Sequence, residues 1–275
     1  MPSLDINGTR INYRETGSGP WVVLLHCSSS HAGQWKPLMD AVSDRFHLVA
    51  PDFHGYGLSG PLPATGEPFF RHDTAIIGAI MDMAEGPVHI VGHSLGGAIA
   101  ARAVLDHGHA IASAILIEPV LFNLLEEAGD PRWAEVRMLE REMISLIDAG
   151  DHRSAAERFM EFWAGPGALR RLDDETRDYV VATIGRVGEE WRGVPSDTPG
   201  ALRMSDFVAF DAPTQLLCAA KTKPSARGIM DILRTAIPHA EYDEIADAGH
   251  MSPVSHPDAV NAKIIAFLDR QVAPG

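Results

Sequence analysis

A hydroxyl flanked by glycines is the feature of this sequence most ready for chemistry. Gly92-His93-Ser94-Leu95-Gly96 reads Gly-x-Ser-x-Gly, with an apolar run at 88–91 entering it and a stretch rich in alanine (Ala98, Ala100, Ala101, Ala103) leaving it. Strand, sharp turn and helix in that order hold a serine in a strained backbone that only small neighbours tolerate. They also lift its Oγ clear of the strand end, against a helix N-terminus. A serine hydroxyl is a weak nucleophile at neutral pH and needs a base within hydrogen-bond reach. Of the 13 histidines, His250 fits best, because it sits in the loop Ala248-Gly249-His250-Met251-Ser252-Pro253, between a strand-like stretch at 241–245 and the last helical pattern. Loops at the C-terminal ends of parallel strands gather on one edge of a sheet, the edge where Ser94 would stand. These residues imply attack by Ser94 on an acyl-type carbonyl, with His250 relaying the proton. Backbone N–H groups must then receive the oxyanion: Leu95 offers one, and the loop His26-Cys27-Ser28-Ser29-Ser30 can offer another. His26 is read chiefly as fixing that loop, and secondarily as a wall of the substrate pocket.

The hydrophobic pattern supplies elements that can hold these residues. Residues 4–15 read as a hairpin turning at Asn7-Gly8. Short apolar runs at 21–25, 46–50, 88–91 and 114–117 alternate with helical patterns at 71–84 and 95–106. Runs this brief and continuous suit strands buried on both faces of a parallel sheet, so the chain is expected to be α/β with helices on both faces. From about 122 to 205 only helical patterns occur, at 133–147, 154–163 and 174–191. Alternation then resumes with strands at 214–219 and 240–245 and helices at 226–236 and 257–272. The expected organisation is a core of residues 1–120 and 210–275 interrupted by a helical cap, 121–209.

Bulk properties narrow the function. A chain of 275 residues carrying a formal net charge of −14 at pH 7 offers no basic surface for phosphates, so no nucleic-acid partner is expected. No run approaches ~18 apolar residues, so no membrane partner is expected either. The N-terminus lacks the basic and apolar segments of a secretory signal, which makes a cytoplasmic location the expectation. Cys27 and Cys218 have neither a disulfide framework nor metal-ligand spacing, so no metal and no cofactor are expected. The partner expected is a small-molecule substrate, and a homo-oligomer stays open.

With these residues in hand, the chain resembles the α/β-hydrolase superfamily over nearly its whole length. The matching pieces are Leu24-Leu25-His26, Pro51-Asp52-Phe53-His54-Gly55-Tyr56-Gly57-Leu58-Ser59, Gly92-His93-Ser94-Leu95-Gly96-Gly97 and Ala248-Gly249-His250. The resemblance implies that Ser94 and His250 act as assigned and that Ser28 supplies the second oxyanion N–H. Cys27 stands where that family usually has a glycine. Its acidic residue usually follows the strand before the histidine-bearing strand, yet residues 212–230 contain no Asp or Glu, and Thr222 occupies about that place. Glu118, at the end of the run 114–117, is the candidate instead. It keeps the order serine, acid, histidine, and the haloalkane dehalogenase branch has members with their acid after this same strand. Asp211, Asp243 and Asp247 are the fallbacks.

Trp133, Trp163, Trp191, Phe159 and Phe162 fall in the cap, and Phe122, Leu124 and Leu125 follow Glu118. Phe122, Phe159 and Trp163 are the leading candidates for an apolar pocket, with 60–68 as part of its rim. The leading expectation is a carboxylesterase-like serine hydrolase of a small or medium, partly apolar acyl substrate. Alternatives are carbon–carbon bond hydrolysis of a diketone-type compound, a slow-turnover ligand sensor, and cofactor-free oxygen chemistry, which no residue singles out. Halide release and epoxide opening need an aspartate where Ser94 stands.

Overall fold

The computed structural model describes residues 1–194 and 197–272. Its strands are β1 (Ser3–Ile6), β2 (Thr9–Thr16), β3 (Trp21–Leu25), β4 (His47–Pro51), β5 (Val88–His93), β6 (Ile111–Ile117), β7 (Thr214–Ala219) and β8 (Glu241–Ile245), in the sheet order β1-β2-β4-β3-β5-β6-β7-β8. β1 and β2 pair antiparallel through the Asn7-Gly8 turn, where both residues have positive φ (52° and 84°), and β2 pairs antiparallel with β4. The remaining pairs are parallel.

Side chains of the central strands alternate between two cores. Val23 and Leu25 of β3, Ala114 and Leu116 of β6, and Leu216 and Cys218 of β7 face one side. Val22, Leu24, Ile115, Ile117, Leu217 and Ala219 face the other. Because both faces are covered, the apolar runs are continuous rather than alternating. The helices are α1 (Lys36–Val42), α2 (Phe69–Met81), α3 (Leu95–His107), α4 (Asn123–Glu127), α5 (Trp133–Asp148), α6 (His152–Ala164), α7 (Asp174–Arg192), α8 (Pro224–Ala236), α9 (Ser252–Ser255) and α10 (Pro257–Val272). α1 and α10 cover one face, and α2, α3 and α8 cover the other. The sequence pattern missed α1, a helix of only 7 residues. Between β6 and β7 lie α4 to α7 and short 3₁₀ turns, with no strand among the described residues. No helix among the described residues is long and apolar enough to cross a membrane.

Strand register places the chemistry. In the β5/β6 pair His93 lies opposite Ile117, so Ser94 and Glu118 are the first residues beyond two adjacent strand tips. The Ser94 amide donates to the Ile117 carbonyl at 2.9 Å, and the Glu118 amide to the Leu217 carbonyl at 3.2 Å.

Candidate active site

Ser94 takes φ 57° and ψ −114°, a conformation that side chains rarely adopt. Its neighbours show why the motif needs glycine. A Cβ on Gly92 would lie 2.2 Å from the Gly96 carbonyl oxygen, and one on Gly96 would lie 2.2 Å from that of Leu25. With the turn this tight, Ser94 Oγ reaches His250 Nε2 at 3.0 Å. The other ring nitrogen, Nδ1, is 2.7 Å from Glu118 Oε2. Glu118, itself at φ 42°, also accepts from the Ala219 amide at 2.6 Å (Oε1) and from Thr222 Oγ1 at 2.7 Å (Oε2). Burial by itself pushes this carboxyl up, but the hydrogen bonds from His250, Thr222 and Ala219 outweigh it and hold the group below its usual value. Glu118 is therefore the charged acceptor, His250 carries its proton on Nδ1, and Nε2 is left to accept from Ser94. Serine, histidine and glutamate are 4%, 2% and 1% exposed, which strengthens each contact by excluding water.

The structure thus brings Ser94, His250 and Glu118 together. Thr222, in the place where the family's acid usually falls, donates its hydroxyl to Glu118. The fallback acids lie elsewhere. Asp247 pairs with Lys221 and Asp243 with Lys263, while Asp211 is exposed.

Around the base, two further rings fix its pose. Gln34 Nε2 donates to His93 Nδ1 at 3.2 Å, so His93 donates from Nε2 to the His250 carbonyl at 2.9 Å. Burial pushes His93 down to about 3, which keeps it neutral. Trp163 of α6 stacks on the His250 ring, with centroids 3.6 Å apart and planes 19° from parallel.

Ser28 and Leu95, the expected oxyanion donors, both line the cavity that opens at Ser94. Among the described residues neither backbone amide has a hydrogen-bond acceptor. Cys27 is tolerated in the glycine's place because the positive φ of this loop falls on Ser29 (50°), and its own amide donates to Gln34 Oε1 at 3.1 Å. Burial pushes the Cys27 thiol up to about 12, leaving it inert.

A cavity of about 80 Å³ opens at Ser94. Phe122, Phe159 and Trp163 line it, joined by Trp191, Phe69 and Phe70. His26 does not line it. It is fully buried, accepting from the Phe53 amide at 3.0 Å through Nε2 and therefore donating from Nδ1 to the Cys27 carbonyl at 2.7 Å. Both nitrogens are spent on loop geometry, and burial pushes the ring down to about 4. Phe162 packs edge-on against Trp163 and Trp191 behind the wall, and Trp133, Leu124 and Leu125 also stand away from the cavity. The stretch 60–68 borders a separate surface hollow.

Sequence reasoning missed Glu190, a carboxyl of α7 that is 6% exposed and lines the cavity. It accepts from Ser28 Oγ and Tyr56 OH and pairs with Arg186 Nη1 at 3.2 Å. Burial pushes it up to about 7, against the pull of Arg186. The available signal was spacing: Tyr179, Thr183, Arg186 and Glu190 form a polar stripe on a helix that would be buried. Arg102 of α3 also lines the cavity, alongside Phe70. Among the described residues no group of three or more His, Cys, Asp or Glu could hold a metal ion.

This sheet order, with a strained serine between two glycines at a parallel strand tip, defines an α/β hydrolase. A profile of the alpha/beta hydrolase family matches residues 22–263, and the chain belongs to that family. It is 36% identical over 254 residues, 87% of each chain, to a 2-(acetamidomethylene)succinate hydrolase of Mesorhizobium japonicum. Its fold is similar to a hydrolase from Pseudomonas aeruginosa PA01 (TM-score 0.79, 21% identity, 97% of each chain). It is also similar in fold to the enol-lactonase from Burkholderia xenovorans LB400 (TM-score 0.73, 22% identity, 97% of this chain and 99% of that one). Family and relatives together support a hydrolase.

Proposed function

We propose that the protein hydrolyses an ester of a small or medium, partly apolar carboxylic acid through an acyl-enzyme on Ser94. The observation carrying this reading is the continuous line Ser94 Oγ to His250 Nε2 (3.0 Å) and His250 Nδ1 to Glu118 Oε2 (2.7 Å). Ser94 Oγ attacks the ester carbonyl as its proton passes to His250 Nε2. The Glu118 carboxylate stabilises the imidazolium so formed. Negative charge on the former carbonyl oxygen is received by the N–H groups of Leu95 and Ser28, in a site from which water is largely excluded. Collapse of the tetrahedral intermediate breaks the bond to the alkoxy oxygen, which takes the proton from His250 and leaves as the alcohol. A water then repeats the attack on the acyl-Ser94 ester, its proton again going to His250, and the free acid and the Ser94 hydroxyl are regenerated.

Cavity size and lining support the substrate class. Aromatic walls from Phe122, Phe159, Trp163 and Trp191 favour an apolar body, and the small volume disfavours polymers and lipid aggregates. Ser94, Leu95, Ala98, Ile99 and Arg102 line the cavity along one side of α3, so Arg102 lies about 12 Å along the helix from Ser94. The guanidinium donates from Nε to Asp106 and from Nη1 to the Gly200 carbonyl, both at 2.8 Å, and a carboxylate on the acyl group, at the end remote from the reacting carbonyl, would meet it from the cavity side. The relative from Mesorhizobium japonicum is named for a substituted succinate, itself a dicarboxylate.

The test is labelling with a fluorophosphonate probe and mapping of the modified peptide, followed by a panel of short and medium aryl and alkyl esters. Label on Ser94 and burst kinetics with an aryl ester are expected. A folded sample that takes no label on Ser94 would replace this reading with a ligand sensor.

A further inference from the structure

The hydrolytic steps above leave one buried carboxyl at the site without a task. Glu190 projects from α7 between the cavity and the loop that carries Ser28. Its position is part of a longer arrangement. Tyr179, Thr183, Arg186 and Glu190 are spaced by four, three and four residues, which puts them on one face of the helix. That face runs along the Ser28–Ser30 loop. Tyr179 OH donates to the Ser30 carbonyl at 2.8 Å, Ser29 Oγ and Thr183 Oγ1 are 2.9 Å apart, and Ser28 Oγ donates to Glu190 Oε2.

Arg186 already ties α7 to the core, with its guanidinium on the Asp73 carboxylate of α2 and its Nε donating to the His54 carbonyl at 3.0 Å. Asp73 in turn is 3.0 Å from His54 Nδ1. Docking of the helix thus does not rest on Glu190 alone. Besides its contacts to Tyr56 OH and Arg186, Glu190 grips Ser28, a residue that lines the cavity and whose amide is unpaired among the described residues. Ser29, next along, has φ 50°, so the loop is held in a conformation that it would leave if released.

We infer that Glu190 is a positioning residue for the oxyanion hole: through the Ser28 hydroxyl it fixes the direction of the Ser28 N–H from the helix lying over the loop. The inference rests on the hydrolytic reading of Ser94. Its consequence is a transition-state effect. The substrate's ground-state carbonyl makes weak use of the donor, whereas the oxyanion depends on it, so releasing Ser28 lowers kcat more than it raises KM. Oxyanion-hole donors removed outright cost about 10²–10³ in kcat, and a donor misaligned by losing its clamp is expected to cost ~10–100-fold.

The experiment compares wild type, Glu190→Gln, Ser28→Ala and the double variant on one aryl ester, with thermal unfolding as a check on folding. Ser28→Ala removes only a hydroxyl and leaves the N–H, so it keeps the test open where Glu190→Gln is poorly folded. Each single variant is expected to lose ~10–100-fold in kcat with KM within about threefold, and the double variant to lose no more than the worse single, because both cut one link. Values of kcat within about threefold of wild type in folded single variants, or losses that multiply in the double, overturn the positioning role. Wild type that takes fluorophosphonate on Ser94 while the variants keep its kinetics overturns this inference alone. Wild type that takes no label overturns the hydrolytic reading and this inference with it.

Discussion

Replacing Glu118 with glutamine tests the least conventional part of the site. The carboxylate accepts three hydrogen bonds, from His250 Nδ1 (2.7 Å), Thr222 Oγ1 (2.7 Å) and the Ala219 amide (2.6 Å). Glutamine keeps the shape but offers one acceptor oxygen and an NH₂ that can only donate. If the oxygen stays with Ala219, the NH₂ faces His250 Nδ1, the ring proton moves to Nε2, and the nitrogen facing Ser94 can no longer take a proton. If the oxygen turns to His250, a buried amide loses its acceptor at about 1–3 kcal/mol. In both arrangements the imidazolium loses its counter-charge. The expected loss is ~10²–10⁴ in kcat, or about 2.7–5.4 kcal/mol of barrier at 1.36 kcal/mol per decade. Glu118 does not line the cavity, so KM should stay within about threefold of wild type. Steady-state hydrolysis of an aryl ester measures the loss, fluorophosphonate labelling reports it on Ser94 directly, and the unfolding temperature shows whether the fold survives. Wild-type turnover in a folded Glu118→Gln protein would remove Glu118 from the proton relay.

Three other outcomes are expected. Because Glu118 is held below its usual value of 4.5, its stabilising contribution is complete above that pH and is lost as pH falls through the lower folded value; Glu118→Gln should therefore flatten the acid side of a plot of unfolding temperature against pH. Trp163→Leu removes the ring stacked 3.6 Å from His250 and should lower kcat roughly 2–30-fold, with Trp163→Phe intermediate, as read by ester kinetics over a pH series; equal activity in all three would show the stack to be packing only. Arg102→Met should erase a preference, in kcat/KM, for esters whose acyl chain ends in a carboxylate over neutral esters of equal length, and an unchanged preference would place that recognition elsewhere.

Much of this site was legible because its parts are local. Gly92, Ser94 and Gly96 belong to one turn, and the close approaches that require glycine occur within a few residues of it or at the adjoining strand end. His250 could be placed because a loop after a parallel strand has only one edge to occupy. Glu118 became the candidate acid because the place that the family resemblance gives to that residue, near Thr222, carries no charge, and the register of β5 against β6 is what sets Glu118 beside Ser94. The pocket was less legible. Aromatic residues in a helical segment face either the cavity or one another; Phe159 and Trp163 were singled out for the cavity, whereas Trp191, which also lines it, was not. His26 holds its loop through both ring nitrogens, in line with its chief reading, and only the secondary reading of it as pocket wall fails. Glu190 went unseen because a glutamate near the end of a charged helix looks solvated, and only the fold reveals that this face is enclosed.

Ser94 and Glu118 follow the tips of one hydrogen-bonded strand pair, so their separation is set by sheet register. Only the imidazole arrives independently, on a loop between the last strand and the C-terminal helices. The machinery therefore behaves like a fixed jaw with a single detachable pin. On the proposed mechanism, fraying of the C-terminal edge would switch the chemistry off while leaving Ser94 and Glu118 in register, and redocking that edge would restore it without any rearrangement of the sheet's centre.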